Sequence, residues 1–176
     1  MAILPIVKYP APVLKRRAEE IKKVTKEIRR LIDNMAETMY DAPGVGLAAP
    51  QVGESLRLIV VDPTGEEAKE LIALVNPEVI AGEGEIIGEE GCLSVPGVRC
   101  DVKRWAKVKV KGYDPFKEKM VEIEAKDLLA RIFQHEIDHL NGLIFLDRLG
   151  RVKRELYKRR YLKHLKELEK KSNNSK

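Results

Sequence analysis

Residues 127–142 read DLLARIFQHEIDHLNG, and this stretch decides what can be built around it. Asp127 can cap a helix and Gly142 can end one, which places everything between them in a single element. Its apolar residues fall on two sides. Leu128 and Ile132 share a stripe with His135 and His139, while Leu129, Phe133, Ile137 and Leu140 cover another. A helix apolar on two sides is a buried one, so other elements must pack around it.

Those elements read as strands. LRLIVVD (56–62), LIALVNP (71–77), WAKVKVKGYD (105–114) and KMVEIEA (119–125) are β-like. In the last two, Val108/Val110 and Val121/Ile123 alternate with charged residues on either side of a turn at YDPFKE (113–118), the pattern of antiparallel strands with one wet face. From Thr25, the residues Ile28, Leu31, Ile32, Met35 and Met39 recur at helical spacing until DAPGVG (41–46) stops them. The segment 151–171, RVKRELYKRRYLKHLKELEKK, carries a narrow stripe of Val152, Leu156, Tyr161, Leu165 and Leu168 on a basic helix, and the terminal SNNSK is expected to fray. The fold class expected is α+β, with antiparallel strands packed around the buried histidine helix and a C-terminal helix outside. At 176 residues the chain has one core, so 1–150 and 151–176 are expected to be the catalytic part and the basic helix of one domain.

Charge is unevenly spread. Residues 151–176 hold eleven Lys or Arg against three Glu, a local +8, which leaves 1–150 at −3. Two cysteines, Cys92 and Cys100, are too few to staple a secreted scaffold, and a reduced, cytoplasmic setting is expected. The N-terminal MAILPIVKYPAPVLKRR lacks the order of a signal peptide, and no run of about 18 apolar residues suggests a membrane span.

Two imidazoles at i and i+4 on one helix point the same way, and their nitrogens can reach one ion at roughly 2.0–2.1 Å. Glu136, beside the first, can reach a water on that ion. The plainer alternative is a pair of ordinary helical histidines beside a carboxylate. A catalytic metal needs a third protein ligand and an open position. In zinc proteases of the H-E-x-x-H-x-x-G-x-x-H type the third is a histidine, and here Phe145 stands in its place. Glu155, Glu167 and Glu169 lie among the basic residues of the tail. Upstream, GEEGCLSVPG (88–97) sets Cys92 in a flexible glycine context where a thiolate can face a cleft. A buried structural thiol is the alternative there, and Cys100 is the competitor. A third segment, GVGLAAPQVG (44–53), mimics a phosphate-binding G-x-G-x-x-A, but a helix precedes it and Pro50 follows, which excludes dinucleotide binding. Such a loop is better suited to line a cleft and aim the Gln51 amide at a ligand oxygen.

Taken together, GVGLAAPQVG, EEGCLSVPG and QHEIDHLNG, in this order, resemble the three signature motifs of the peptide deformylases. The likeness extends to ILPIVKYPAPVLKRRAEEI (3–21) and loosens in the tail. It departs from the family's usual substrate pocket at Gly88 and Arg131. The resemblance implies an enzyme that removes the formyl group from the N-terminal formyl-methionine of nascent peptides and releases formate. It implies that Cys92, His135 and His139 hold a divalent metal, Fe(II) in the cell with Zn, Ni or Co as alternatives, and that Glu136 is base and then acid towards a metal-bound water. It places Gln51, the Leu93 backbone N–H and Gly46 in the catalytic set; together with the glycine loop and the histidine stripe it makes Val45, Leu128 and Ile132 the candidates around the methionine side chain, with plain core the alternative for Leu128. Two other readings compete: a zinc endopeptidase on the same helix, and a binding module whose basic tail, with Tyr157 and Tyr161, tracks RNA phosphates. Some members of the family dock at the ribosome through a basic C-terminal helix, so ribosome docking is a further expectation.

Overall fold

The computed structural model describes residues 2–174. Its elements are α1 (Lys26–Asp41), β1 (Gly46–Ala48), β2 (Leu58–Val61), β3 (Ile72–Cys92), β4 (Val95–Asp114), β5 (Lys119–Lys126), α2 (Asp127–Leu140) and α3 (Arg151–Asn174), with single 3-10 turns at Pro12–Lys15, Ala49–Val52 and Phe145–Arg148. The five strands form one antiparallel sheet in chain order. This is the expected α+β architecture.

The short strands β1 and β2 lie between two helices. Alternation sends Leu58 and Val60 of β2 into a cluster with Ile32, Met35 and Met39 of α1. It sends Ile59 and Val61 into a second cluster with Ala130, Ile132, Phe133, Ile137 and Leu140 of α2. All four β2 residues are therefore buried, and LIVV carries no polar residue because neither face is wet. β4 and β5 close the α2 side through Val108, Val110 and Ala125.

Thr25 accepts a hydrogen bond from the Ile28 N–H at 3.2 Å and so starts α1 as a capping residue. Asp127 does not act as the expected cap of α2. It is the first helical residue, at φ 54°, the cap position belongs to Lys126, and no side-chain cap bond forms. Gly142 does follow the end of α2 in a left-handed conformation, φ 77°. A Cβ there would stand 2.6 Å from the Lys15 carbonyl oxygen.

The segment 88–97 is more regular than its glycines suggest. Cys92 is the last residue of β3, and a tight connection returns to β4 at Val95, so the cysteine is held at the end of a long hairpin. That end packs Val95, Cys100 and Val102 against Ile144, Phe145 and Leu146 and against Tyr161 of α3, which is 1% exposed. α3 continues through Ser172–Asn174, and the last two residues of the segment expected to fray, 175 and 176, lie outside the described residues. Among the described residues, no helix is long and apolar enough to cross a membrane.

Candidate metal centre

Three elements converge on one point. α2 presents His135 and His139 on one side, the end of β3 delivers Cys92, and the 3-10 turn after β1 brings Gln51. The ligand atoms of Cys92, His135 and His139 lie within 4.8 Å of one another, and Cys92 Sγ is 3.4 Å from His139 Nε2. A tetrahedral ion with bonds of about 2.3 Å to sulfur and 2.0 Å to nitrogen sets its ligands roughly 3.5 Å apart, which the Cys92–His139 separation matches. One thiolate and two imidazoles also leave a fourth position free. Among the described residues, Glu136 Oε2 is buried with no hydrogen-bond partner, which leaves an acceptor on a residue that lines the cleft. Cys100, buried on β4, is not part of the cluster, and Glu155, Glu167 and Glu169 lie exposed on α3.

Each histidine sits in a different field. The His135 Nδ1 lies 2.8 Å from Glu90 Oε1, which leaves Nε2 for the cluster. Burial opposes a proton on His135, but bonding to Cys92 and Glu90 and the Glu136 charge outweigh it and hold the imidazole well above its ordinary pKa. His139 is held well below, first by burial and then by the positive charges of His135 and Arg104. The ring centroids are 5.1 Å apart, too close for two imidazolium ions. Burial pushes the Glu136 carboxyl up to about 7, against the lowering influence of His135. Phe145, the residue that excluded the zinc-protease motif, stacks on His135 with centroids 6.0 Å apart and an interplanar angle of 23°.

Behind the histidines runs a buried ionic network that sequence reading missed. Arg104 of β4 donates to Glu90 at 2.7 and 2.9 Å and to Asp138 at 2.8 Å, and Arg131 also donates to Glu90. Burial disfavours the Glu90 charge, yet the hydrogen bonds and charges of Arg104 and His135 bring its pKa down to about 2. Glu90 stands two residues before Cys92 at the end of β3, a relation visible only once 88–92 is read as a strand.

Gln51 is 1% exposed. Its Oε1 accepts from the Ala48 N–H at 2.9 Å, and its Nε2 lies 3.2 Å from Ser94 Oγ and 3.6 Å from Cys92 Sγ. The carboxamide is thus fixed with its donor end toward the cluster. A cleft of about 500 Å³ opens over these atoms, lined by Val45, Gly46, Gln51, Leu93, Leu128 and Ile132 among others. Leu128 is half exposed, so its side chain belongs to the cleft and not to the core. Cys92, His135 and Glu136 line the same cleft, while His139 lies behind it in contact with Cys92 Sγ.

The polypeptide deformylase family matches residues 3–155. A peptide deformylase of Thermodesulfovibrio yellowstonii is 54% identical over 162 residues, covering 92% of this chain and 98% of the relative. One of Syntrophobacter fumaroxidans is 52% identical over 168 residues, covering 95% and 98%. The crystal structure of a peptide deformylase from Legionella pneumophila superposes with a TM-score of 0.87 at 48% identity, covering 96% of this chain and 98% of that one.

Proposed function

The chain belongs to the polypeptide deformylase family, and we propose that it removes the formyl group of N-terminal formyl-methionine at the cluster of Cys92, His135 and His139. The enzyme acts on the N-formyl group of nascent peptides. The observation that carries the assignment of the site is the convergence of that ligand triad with an orphaned, buried Glu136 at the floor of a cleft.

Cys92, His135 and His139 are the residues that would hold a divalent ion, Fe(II) in the cell, with Zn, Ni and Co suited to the same mixed sulfur and nitrogen donors. Bound there, the ion supplies Lewis acidity and draws the pKa of a water toward neutrality. Glu136, with a carboxyl pushed up to about 7, is matched to take a proton at neutral pH and to return it to the departing amine. Gln51 Nε2 and the Leu93 backbone N–H are the donors for the oxygen that gathers charge as the formyl carbon turns tetrahedral. Gly46 has no side chain, so β1 closes on Glu136 and Ile132: a Cβ there would lie 2.9 Å from both side chains. Formyl bears only hydrogen on its carbon, and a cleft this closely walled excludes acetyl by size. Val45, Leu128 and Ile132 form the apolar slot for the methionine side chain. With Cys92 and Cys100 both unpaired, we place the enzyme in the cytoplasm.

The test is formate release from a formyl-Met tripeptide by protein purified anaerobically and loaded with Fe(II). Release that disappears on chelation supports the reading. Absence of release from protein carrying one equivalent of metal overturns it, and cleavage of an unformylated peptide would favour the endopeptidase.

A further inference from the structure

We infer that Arg131 is a specificity-determining residue, placing a positively charged hydrogen-bond donor at the end of the methionine slot so that the enzyme reads the thioether as well as the size of the side chain. The inference rests on the proposed function above.

Arg131 lies one turn before His135 on α2, between Leu128 and Ile132, and lines the same cleft. It does not swing out to water: only 8% of it is exposed. Its guanidinium is pinned through the two terminal nitrogens. Nη1 donates to Glu90 and to the Val102 carbonyl at 3.0 Å, and Nη2 donates to the Ile86 carbonyl at 3.1 Å. Among the described residues none of its bonds uses Nε, although a guanidinium offers five N–H donors. Glu90 balances the charge, so the cation can stay in apolar surroundings without solvent.

Gly88 makes this seat possible. A Cβ on residue 88 would stand 3.2 Å from Cζ and Nη2 of Arg131 and 3.3 Å from its Nε. A side chain at 88 would lift the guanidinium off β3, so glycine here and arginine at 131 form one arrangement. The slot thereby combines apolar walls, Val45, Leu128 and Ile132, with a fixed donor.

A methionine sulfur is polarizable and a weak acceptor, whereas norleucine has the same reach and nothing to accept with. A sulfoxide oxygen is a stronger acceptor still. A hydrogen bond of this kind is worth roughly tenfold in an equilibrium or rate ratio. The wild-type enzyme should therefore prefer formyl-Met over formyl-norleucine tripeptides in kcat/KM by about three- to tenfold, and should turn over the formyl-Met-sulfoxide peptide better than its greater polarity would allow in an apolar slot.

The experiment measures kcat/KM for these three peptides with wild type, Arg131→Leu and Arg131→Gln, each assayed for metal content. The corresponding unformylated tripeptides serve as competitive inhibitors, a readout of slot binding separate from turnover. In Arg131→Leu the Met-to-norleucine ratio should fall to about one, and the sulfoxide peptide should lose about tenfold against norleucine in both turnover and inhibition. Arg131→Gln, which keeps a neutral donor, should fall between. Ratios unchanged in both variants overturn the inference, also where metal content drops, because an arginine that only steadies Glu90 would affect all three peptides alike. Wild-type protein that releases formate from none of them overturns the proposed function, and this inference with it.

Discussion

Replacing Gly46 by Ala puts a methyl group where β1 presses on the catalytic floor. The added Cβ would stand 2.9 Å from Glu136 Cγ, 2.9 Å from Ile132 Cγ2 and 3.1 Å from Glu136 Cδ. Carbon atoms settle at about 3.5–4.0 Å, so two neighbours must each yield by roughly 0.6–1 Å. Ile132 is 5% and Glu136 2% exposed, so both can yield only into the cleft they line, which shifts the Glu136 carboxyl and narrows the slot. Overpacking of this size costs about 1–3 kcal/mol of stability. A displacement near 1 Å at a catalytic group costs on the order of 10² in rate. Gly46→Ala should therefore keep its metal, unfold a few degrees lower and deformylate about a hundredfold more slowly. Calorimetry, metal analysis and kcat/KM on a formyl-Met peptide read the three effects separately. Adding Ile132→Ala removes one of the two collisions, so part of the stability should return while turnover stays low. Gly44→Ala is the control, since its closest contact is the end of the Leu93 side chain at 3.1 Å. A Gly46→Ala enzyme with full turnover and unchanged melting would refute the role assigned to this close approach.

Gln51→Leu should lower turnover by about 10² to 10³ while leaving bound metal in place, and it strands the Ala48 N–H, a loss of about 1–3 kcal/mol measurable by denaturant titration. Glu136→Ala should retain metal and lose nearly all formate release, whereas Cys92→Ala should bind metal far more weakly in a chelator competition; equal affinity would remove Cys92 from the ligand set. Arg104→Met removes the partner shared by Glu90 and Asp138, but Arg131 and Arg148 still hold those carboxylates, so the fold should lose about 1–3 kcal/mol. Tyr40, whose hydroxyl donates to Asp62 at 2.6 Å, has its pKa raised to about 12 by burial and by that bond. The native state holds this proton longer than the unfolded chain. Wild-type stability should therefore fall as pH rises from 10 to about 12, more steeply than that of Tyr40→Phe, and parallel curves would contradict the shift.

The parts of the fold that were legible are those where one face is buried and the other wet. The spacing from Ile28 to Met39 and the alternation around Val108 and Val121 gave α1, β4 and β5 because each has a single apolar side. The hairpin of β3 and β4 was hidden for the opposite reason. IAGEGEIIGEEG (80–91) is rich in glycine and exposed on both faces over much of its length, so its composition resembles a turn. Cross-strand cover replaces burial there: the Trp105 ring lies over Gly82, within 2.5 Å of where a Cβ would be. The metal triad was legible through local spacing and three motifs, but the support behind it was not. Which of Glu89 and Glu90 turns inward, and that Arg104 meets it among the basic residues of β4, follows only from the register Glu90↔Cys100 and the strand pleat. Asp127 was misread as a cap because Asp before an apolar run has that meaning elsewhere; here the chain enters α2 directly from β5.

The basic helix α3 bears on ribosome docking, which we propose as its second use, and its packing dictates how that must be tested. Deleting 151–176 would not be a clean perturbation. Tyr161 is 1% exposed and packs in the cluster that holds the Cys92 end of the hairpin, with Tyr9 centred 6.0 Å away. Loss of a buried aromatic of this size costs about 3–5 kcal/mol. Truncation would therefore reduce peptide turnover through the fold, whether or not the helix touches the ribosome. Arg159, Lys163 and Lys166 are exposed, so reversing them to Glu changes the charge of the outer face by six while keeping Tyr161 in place. If phosphates of ribosomal RNA hold the helix, the triple variant should lose a salt-sensitive affinity and keep its kcat/KM on a short formyl-Met peptide. Cosedimentation with ribosomes at two salt concentrations separates these outcomes. Undiminished binding by the reversed helix would leave α3 with the structural role that Tyr161 already demonstrates.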